Sequence, residues 1–289
     1  MIRRTLSSEV RVDAALGGRG LFTEAESVLT IRPGDDGIAF RVGGVRIPAT
    51  VEHLSSEPVV QAFAQMPARH TVLAKDGVRV ITTEHVLAAL AGMGVTDAEL
   101  GLEGGEEVPI DDGSAAAFVR AIQSVGLTEL GDAEPLVITE VITVEDGSGG
   151  MIVAEPCDGP AAVPDYSYLL EYGESAPLDK QTASWSGDAG AFASEVAPAR
   201  TFSFAAEVEQ MRALGLFTRF TPADLLVLDG EGEPIENELR FDDEPARHKL
   251  LDLIGDLALV GRPIVGRVAA YRSGHALNHK MARRLASLK

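Results

Sequence analysis

His248, Asp252 and Asp256 follow one another at intervals of four residues in the run Arg247-His248-Lys249-Leu250-Leu251-Asp252-Leu253-Ile254-Gly255-Asp256-Leu257. On a helix such residues stack along one face. An imidazole with a carboxylate one turn later has the spacing of two ligands to one metal ion. The surroundings support the helix, because Leu250, Leu251, Leu253, Ile254, Leu257 and Ala258 keep the three-and-four spacing of a buried stripe. Pro245 suits the first turn, where its missing N–H costs nothing, so the pattern predicts a helix over 245–259. The same residues also fit an ordinary solvated face. A third ligand and a general base from elsewhere in the chain would decide between the two.

Six histidines are available: His53, His70, His85, His248, His275 and His279. His85 follows Glu84 at the start of a second predicted helix, and neighbours on a helix point about 100° apart. With His85 on an ion, Glu84 would reach past it toward a bound water, where a base is needed. His275 stands in Ser273-Gly274-His275-Ala276-Leu277-Asn278, a predicted turn between a strand and the last helix. His53, His70 and His279 have no acidic companion at useful spacing and read as surface or structural. The single Cys157 excludes an internal disulfide and a multi-cysteine zinc site, and it fits a reducing compartment. Any metal is therefore held by histidines and carboxylates.

The net charge of −19 argues against a nucleic-acid partner. An anionic small substrate would need cations clustered at its site, and a high-salt habitat would also give this balance. With 45% hydrophobic and 24% charged residues the chain has an ordinary globular composition. No stretch approaches the roughly 18 apolar residues of a spanning helix, and Met1 to Ser8 has no signal-peptide core. A soluble, cytoplasmic protein is the expectation.

The elements that must position these residues alternate in type. Strands are predicted at 27–32, 38–42, 45–48, 70–75, 78–81 and 98–102, with Asp76-Gly77 as the strongest hairpin signal. Helices are predicted at 84–93, capped by Thr82 or Thr83, and at 114–125. The polar stretch 126–135 reads as a boundary. Beyond it come strands at 136–144 and 151–154, a Gly-, Ala- and Asp-rich stretch, a short helix at 207–214, and a strand at 225–229. After the 245–259 helix follow a strand at 266–272 and a helix at 277–288. Both halves run from strands into two late helices, which hints at duplication.

The segments Thr83-Glu84-His85, Arg247-His248-Lys249 with Asp252 and Asp256, and Ser273 to Asn278 resemble the signature of the UDP-3-O-acyl-N-acetylglucosamine deacetylases, zinc hydrolases of the lipid A pathway. Supporting matches are Pro109-Ile110, Asp112-Gly113-Ser114-Ala115, Ala199-Arg200-Thr201-Phe202 with Phe204, and Leu239-Arg240-Phe241 with Asp243-Glu244. The resemblance runs from near the N-terminus to Lys280. It implies an α+β fold of two similar domains, 1–126 and 135–289, with an insert near 203–230. Each is a mainly antiparallel sheet with two packed helices, and the two form a layered sandwich with the active site between them. It implies a monomer acting on a UDP-linked amino sugar.

By the same resemblance His85, His248 and Asp252 hold Zn2+, with Fe2+ as the other candidate ion, and a fourth position stays open for water as in catalytic zinc sites. Glu84 is implied as general base. His275 is implied as the cationic partner that stabilises charge or protonates the leaving amine, and Asp256 as the group that holds its ring. Thr201 matches an oxyanion donor. Lys249 and Arg272 are candidates for the substrate's phosphates. Phe202 and Phe204 are candidates for packing on sugar or uracil, a role no better supported than that of plain buried aromatics.

Two stretches depart from the family pattern. Gly18-Arg19-Gly20-Leu21-Phe22-Thr23-Glu24 has Phe22 where the family has histidine and Glu24 where it has glycine. Leu216 to Asp224 replaces a Gly-Gly-Ser segment beside the passage for an acyl chain, bringing in Arg219, Phe220 and Pro222. Each buried CH2 is worth about 0.8 kcal/mol, so closing that passage would remove much of the affinity for a lipidated substrate. Two alternatives therefore stand beside the main reading: a diverged deacetylase of a less lipidated N-acyl amino sugar, and a metal-containing binding protein without catalysis.

Overall fold

A computed structural model describes residues 1–12, 18–59, 69–157, 164–173 and 176–288. The first half runs β1 (Ile2–Leu6), β2 (Val10–Arg11), β3 (Val28–Pro33), β4 (Ile38–Val42), β5 (Val45–Pro48), β6 (Val72–Lys75) and β7 (Val78–Ile81). It continues through α1 (Glu84–Gly92), β8 (Ala98–Glu103), α2 (Ala116–Val125) and β9 (Leu127–Asp132). In the second half come β10 (Leu136–Val137), β11 (Ile142–Glu145), β12 (Met151–Glu155), β13 (Pro164–Leu170), β14 (Gln181–Trp185) and the single turn α3 (Ala189–Ala191). There follow β15 (Phe202–Phe204), α4 (Ala205–Ala213), β16 (Leu226–Leu228), α5 (Glu244–Leu257), β17 (Ile264–Tyr271) and α6 (His275–Ala286).

The two halves repeat one topology. The first sheet has the order β2-β3-β8-β4-β5 and the second β11-β12-β17-β13-β14, with β10 added beside β17. In each sheet the central strand (β8 or β17) pairs antiparallel with one hairpin and parallel with the first strand of the other. A helix pair flanks it in sequence: α1 and α2 around β8, α5 and α6 around β17. The hint of duplication thus rests on strand order as well as on the sequence of elements. Helix α1 packs on α5 and on α2, while α5 also packs on α6 and on β13 and β14. Helices α1 and α5 are buried almost all round, as expected of an inner layer.

Most predicted elements appear within a residue or two. The stretch 126–135, read as a boundary, holds a strand that was not predicted: Leu127–Asp132 is β9, antiparallel to β1. The Gly-, Ala- and Asp-rich stretch hides β13 and β14, which join the second sheet. The cap of α1 also differs. Thr83 occupies the N-cap position with no side-chain cap bond. The Thr82 hydroxyl is turned to Glu107 Oε1 at 2.8 Å instead.

Candidate metal centre and catalytic cavity

Three helices deliver the chemistry-bearing side chains to one place. Glu84 and His85 are the first two residues of α1, His248, Asp252 and Asp256 lie along α5, and His275 opens α6. Gly255 lets the helices close on one another: a Cβ there would sit 2.1 Å from the Glu84 carbonyl oxygen. The solvated-face reading fails, since His248 is 1%, Asp252 3% and Asp256 0% exposed. These side chains face inward.

His85, His248 and Asp252 each offer a ligand atom within 4.8 Å of the others. Asp252 Oδ1 lies 3.6 Å from His85 Nε2 and 3.4 Å from His248 Nε2. Both separations are long for hydrogen bonds. They match the edge of a tetrahedron with bonds of about 2.0–2.2 Å, whose corners are roughly 3.3–3.6 Å apart. Asp252 Oδ1 is buried without a hydrogen-bond partner, a costly state for a carboxylate oxygen that a cation relieves. His248 donates its Nδ1 proton to the Ala199 carbonyl at 3.1 Å, which leaves the Nε2 lone pair directed at the cluster. Burial holds the His248 pKa down at about 3, so the ring is neutral, as a ligand must be. Burial alone would raise Asp252, but Lys249 and His248 hold it well below the usual range. Two imidazoles and a carboxylate therefore suit a divalent cation with room for water.

Two buried titratable groups, Glu84 and His275, flank this cluster. Burial raises the Glu84 pKa, against the pull of the His275 and His85 rings. His275 Nε2 stands 4.0 Å from Glu84 Oε1 and 3.7 Å from Asp252 Oδ2. Its Nδ1 donates to Asp256 Oδ2 at 2.8 Å, and Asn278 Nδ2 donates to the same oxygen at 2.9 Å. Burial alone would lower His275, but the Asp256 and Asp252 carboxylates raise it to about 9. Near neutrality the ring is then a cation with a proton to give.

The supporting motifs form a brace behind the centre. Arg200 makes a bidentate pair with Glu244, at 2.8 and 3.0 Å, and Glu244 Oε2 also accepts the Arg240 amide at 2.8 Å. Arg240 in turn donates to Asp112 Oδ2 at 2.6 Å and to the Pro198 carbonyl at 2.7 Å. This lattice fixes the stretch 198–201 leading into β15, which carries both the Ala199 carbonyl that orients His248 and Thr201. Such a charged network is held by geometry rather than by net gain, and removing one partner would strand the other.

A cavity of about 480 Å³ opens beside His275, within the usual range of small-ligand sites. Thr201, Phe202, Phe204, Lys249 and Arg272 all line it. Lys249 donates to Asp252 Oδ2 at 2.9 Å and lies 5.9 Å from the centre of the Phe202 ring. Burial alone would lower Lys249, but Asp252 and two tyrosines raise it, so it stays cationic. Arg69 and Arg212 also line the cavity, with Glu207 as its only carboxylate among the described residues. That is the local positive field which a chain of net charge −19 needs for an anionic ligand.

The two departing stretches touch each other. Phe22 packs with Met211 and Leu216, and its ring centre lies 5.8 Å from that of Phe217. Glu24 accepts hydrogen bonds from the Thr218 amide and hydroxyl, the latter at 2.7 Å. Phe22 and Phe220 both line the cavity, whereas Arg219 is exposed and does not. Aromatic rings therefore form part of the cavity wall, and the Arg219 side chain does not.

His70 and His279 are corrections in part, since they are 7% and 8% exposed and so not surface residues. The His70 ring is 4.4 Å from Phe22, and His279 Nε2 is 2.7 Å from Thr71 Oγ1. Thr71, Asn278, Arg69 and Glu107 escaped the sequence reading. For Asn278 a signal was present, the three-residue step from His275 along one helix face. For Thr71 there was none.

A duplicated α+β frame with a buried His-His-Asp group able to hold a cation, beside a buried carboxyl and imidazole, is the arrangement of a metal-dependent hydrolase. The chain belongs to the UDP-3-O-acyl N-acetylglycosamine deacetylase family, whose model matches residues 3–287. A relative from Myxococcus xanthus, named UDP-3-O-acyl-N-acetylglucosamine deacetylase, is 39% identical over 99% of this chain and 86% of its own length. Proteins of the same name from Geotalea uraniireducens and Anaeromyxobacter dehalogenans are 35% and 38% identical, over 99% and 93% of this chain and 88% and 83% of theirs. No helix among the described residues is long and apolar enough to cross a membrane.

Proposed function

We propose that this chain hydrolyses the acetamide of a UDP-linked, 3-O-acylated N-acetylglucosamine, with Zn2+ or Fe2+ held by His85, His248 and Asp252. The observation that carries the reading is the bare, buried Asp252 Oδ1 set at tetrahedral-edge distance from two imidazole Nε2 atoms. When bound, the ion supplies Lewis acidity, polarising the amide carbonyl and lowering the pKa of water to about 7. Glu84, kept from early ionisation by burial, takes the water's proton. Thr201 meets the developing oxyanion from the cavity wall. His275, held by Asp256, gives its proton to the departing amine. Lys249, Arg272 and Arg69 hold the diphosphate, and Phe202 and Phe204 present rings to the sugar or uracil.

The domains 1–126 and 135–289 would each contribute one side of this site. A second reading, a deacetylase of a less lipidated amino sugar, is favoured by the Phe22, Phe217 and Phe220 rings in the cavity wall. Turnover of acylated and unacylated UDP-N-acetylglucosamine by purified protein, beside a Glu84→Ala control, separates the two. The first reading requires a large preference for the acylated sugar. Equal or reversed preference selects the second, and no acetate from either sugar overturns both.

A further inference from the structure

We propose that Thr71 is a positioning residue that ties the proton-accepting and proton-donating sides of the site together, an inference that rests on the roles given above to Glu84 and His275. Thr71 lies just ahead of β6 and is fully buried, at 0% exposure. Its backbone N–H donates to Glu84 Oε2 at 3.0 Å. Its hydroxyl donates to Asp256 Oδ1, the oxygen that His275 does not use. The same hydroxyl oxygen lies 2.7 Å from His279 Nε2.

The donor accounting is closed. A hydroxyl has one proton and two lone pairs. With that proton on Asp256, the oxygen is left to accept, so His279 carries its proton on Nε2. Asp256 Oδ2 is filled by His275 and Asn278, and Oδ1 by Thr71, with His279 Nε2 a longer 3.4 Å from the same Oδ1. The carboxylate therefore cannot rotate without breaking a buried bond, and the His275 ring that leans on it is fixed as well. One residue sets the Glu84 carboxylate through its main chain and the Asp256 carboxylate through its side chain. The two carboxylates belong to α1 and α5, so Thr71 also keeps their separation constant.

The arrangement separates side-chain from main-chain effects. Thr71→Val removes the hydroxyl at nearly constant shape and leaves the N–H on Glu84. Thr71→Ser keeps both. Steady-state kinetics on the acylated nucleotide sugar are expected to show kcat for Thr71→Val lower by about 10–100-fold with KM little changed. Thr71→Ser is expected to restore most of that loss. A loss that Thr71→Ser does not recover, or one carried by KM, overturns the proposal, as does undiminished kcat.

A second readout needs no turnover. The ring-nitrogen NMR signals of His275 and His279 should move in Thr71→Val and return in Thr71→Ser, with those of His53 unmoved. If they do not move in Thr71→Val, the link is wrong even in an active enzyme. If parent protein hydrolyses nothing, the functional reading fails, while these signals still decide whether Thr71 sets the two rings.

Discussion

The floor of the cavity and its rim are built on different principles. At the floor, Glu84, His85, His248, Asp252, Asp256 and His275 sit on helices α1, α5 and α6, and the His248 and His275 Nδ1 atoms are bonded to buried partners. At the rim, β15, α4 and the loops at 18–24 and 214–225 supply rings that pack on one another, from the buried Phe22 and Phe220 to the half-buried Phe202, Phe204 and Phe217. A rigid floor suits chemistry, because a ligand or a base misplaced by an ångström loses its effect. A rim of packed rings can change its shape with single substitutions, which suits discrimination between acyl chains. Phe22 and Glu24, from one stretch that the sequence reading sets apart, are in contact with the other such stretch, Leu216 to Asp224. The difference teaches that one half of the site is constrained by reaction and the other by fit.

If that contrast is right, damage should be graded. The largest effect belongs to Glu84→Gln, which removes the base and keeps the shape. Single-turnover deacetylation should slow by about 10²–10⁴-fold with metal content unchanged. A loss under about tenfold would take the base role from Glu84. Next is Gly255→Ala, which pushes a methyl group toward the Glu84 carbonyl 2.1 Å away. Such overpacking should cost about 1–3 kcal/mol in urea unfolding and lower kcat as well, because α1 and α5 must part. Unchanged stability would mean that the helices have slack.

His70, under the rim, gives a smaller and pH-dependent effect. Burial sets its folded pKa at about 3, against 6.5 for the ordinary ring. The unfolded chain therefore takes up a proton that the folded chain refuses. Stability is intact above pH 6.5 and is lost as pH falls from there toward 3, by about 2 kcal/mol at pH 5. His70→Leu should flatten the profile of unfolding free energy across this window, and an equally steep profile would assign the loss to other groups. The smallest effect belongs to Glu24→Ala. Its bonds to Thr218 are open to water, so stability should change by about 1 kcal/mol or less. The KM ratio of long-chain to short-chain substrate should shift, with kcat constant. A fall in kcat instead would mean that rim and floor are not separable.

How much of this was legible beforehand follows the same division. Helix α5 could be read because its buried stripe and its ligand face obey one period, and because Pro245 marks its start. The hairpin of β6 and β7 could be read from Asp76-Gly77. The candidate ligand set was legible only as separate motifs, since His85 and His248 lie far apart in sequence and their meeting depends on how α1 docks on α5 through Gly255. Strands β13 and β14 were hidden by Gly-, Pro- and Asp-rich flanks, and what makes them strands is partnership with β17 and with each other. Leu127–Asp132 looked like a polar boundary because an edge strand exposed to water carries no alternation to detect. Thr71 and the Glu24–Thr218 contact were invisible for a simpler reason: neither has a local pattern, and both exist only across the fold.

The central claim is that His85, His248 and Asp252 converge on one divalent ion. An X-ray absorption spectrum at the zinc edge of protein dialysed against zinc tests it directly. The account predicts one zinc per chain with two imidazole nitrogens at about 2.0–2.1 Å and light oxygen ligands completing the shell. Absence of uptake, or a spectrum without two imidazoles, would contradict it.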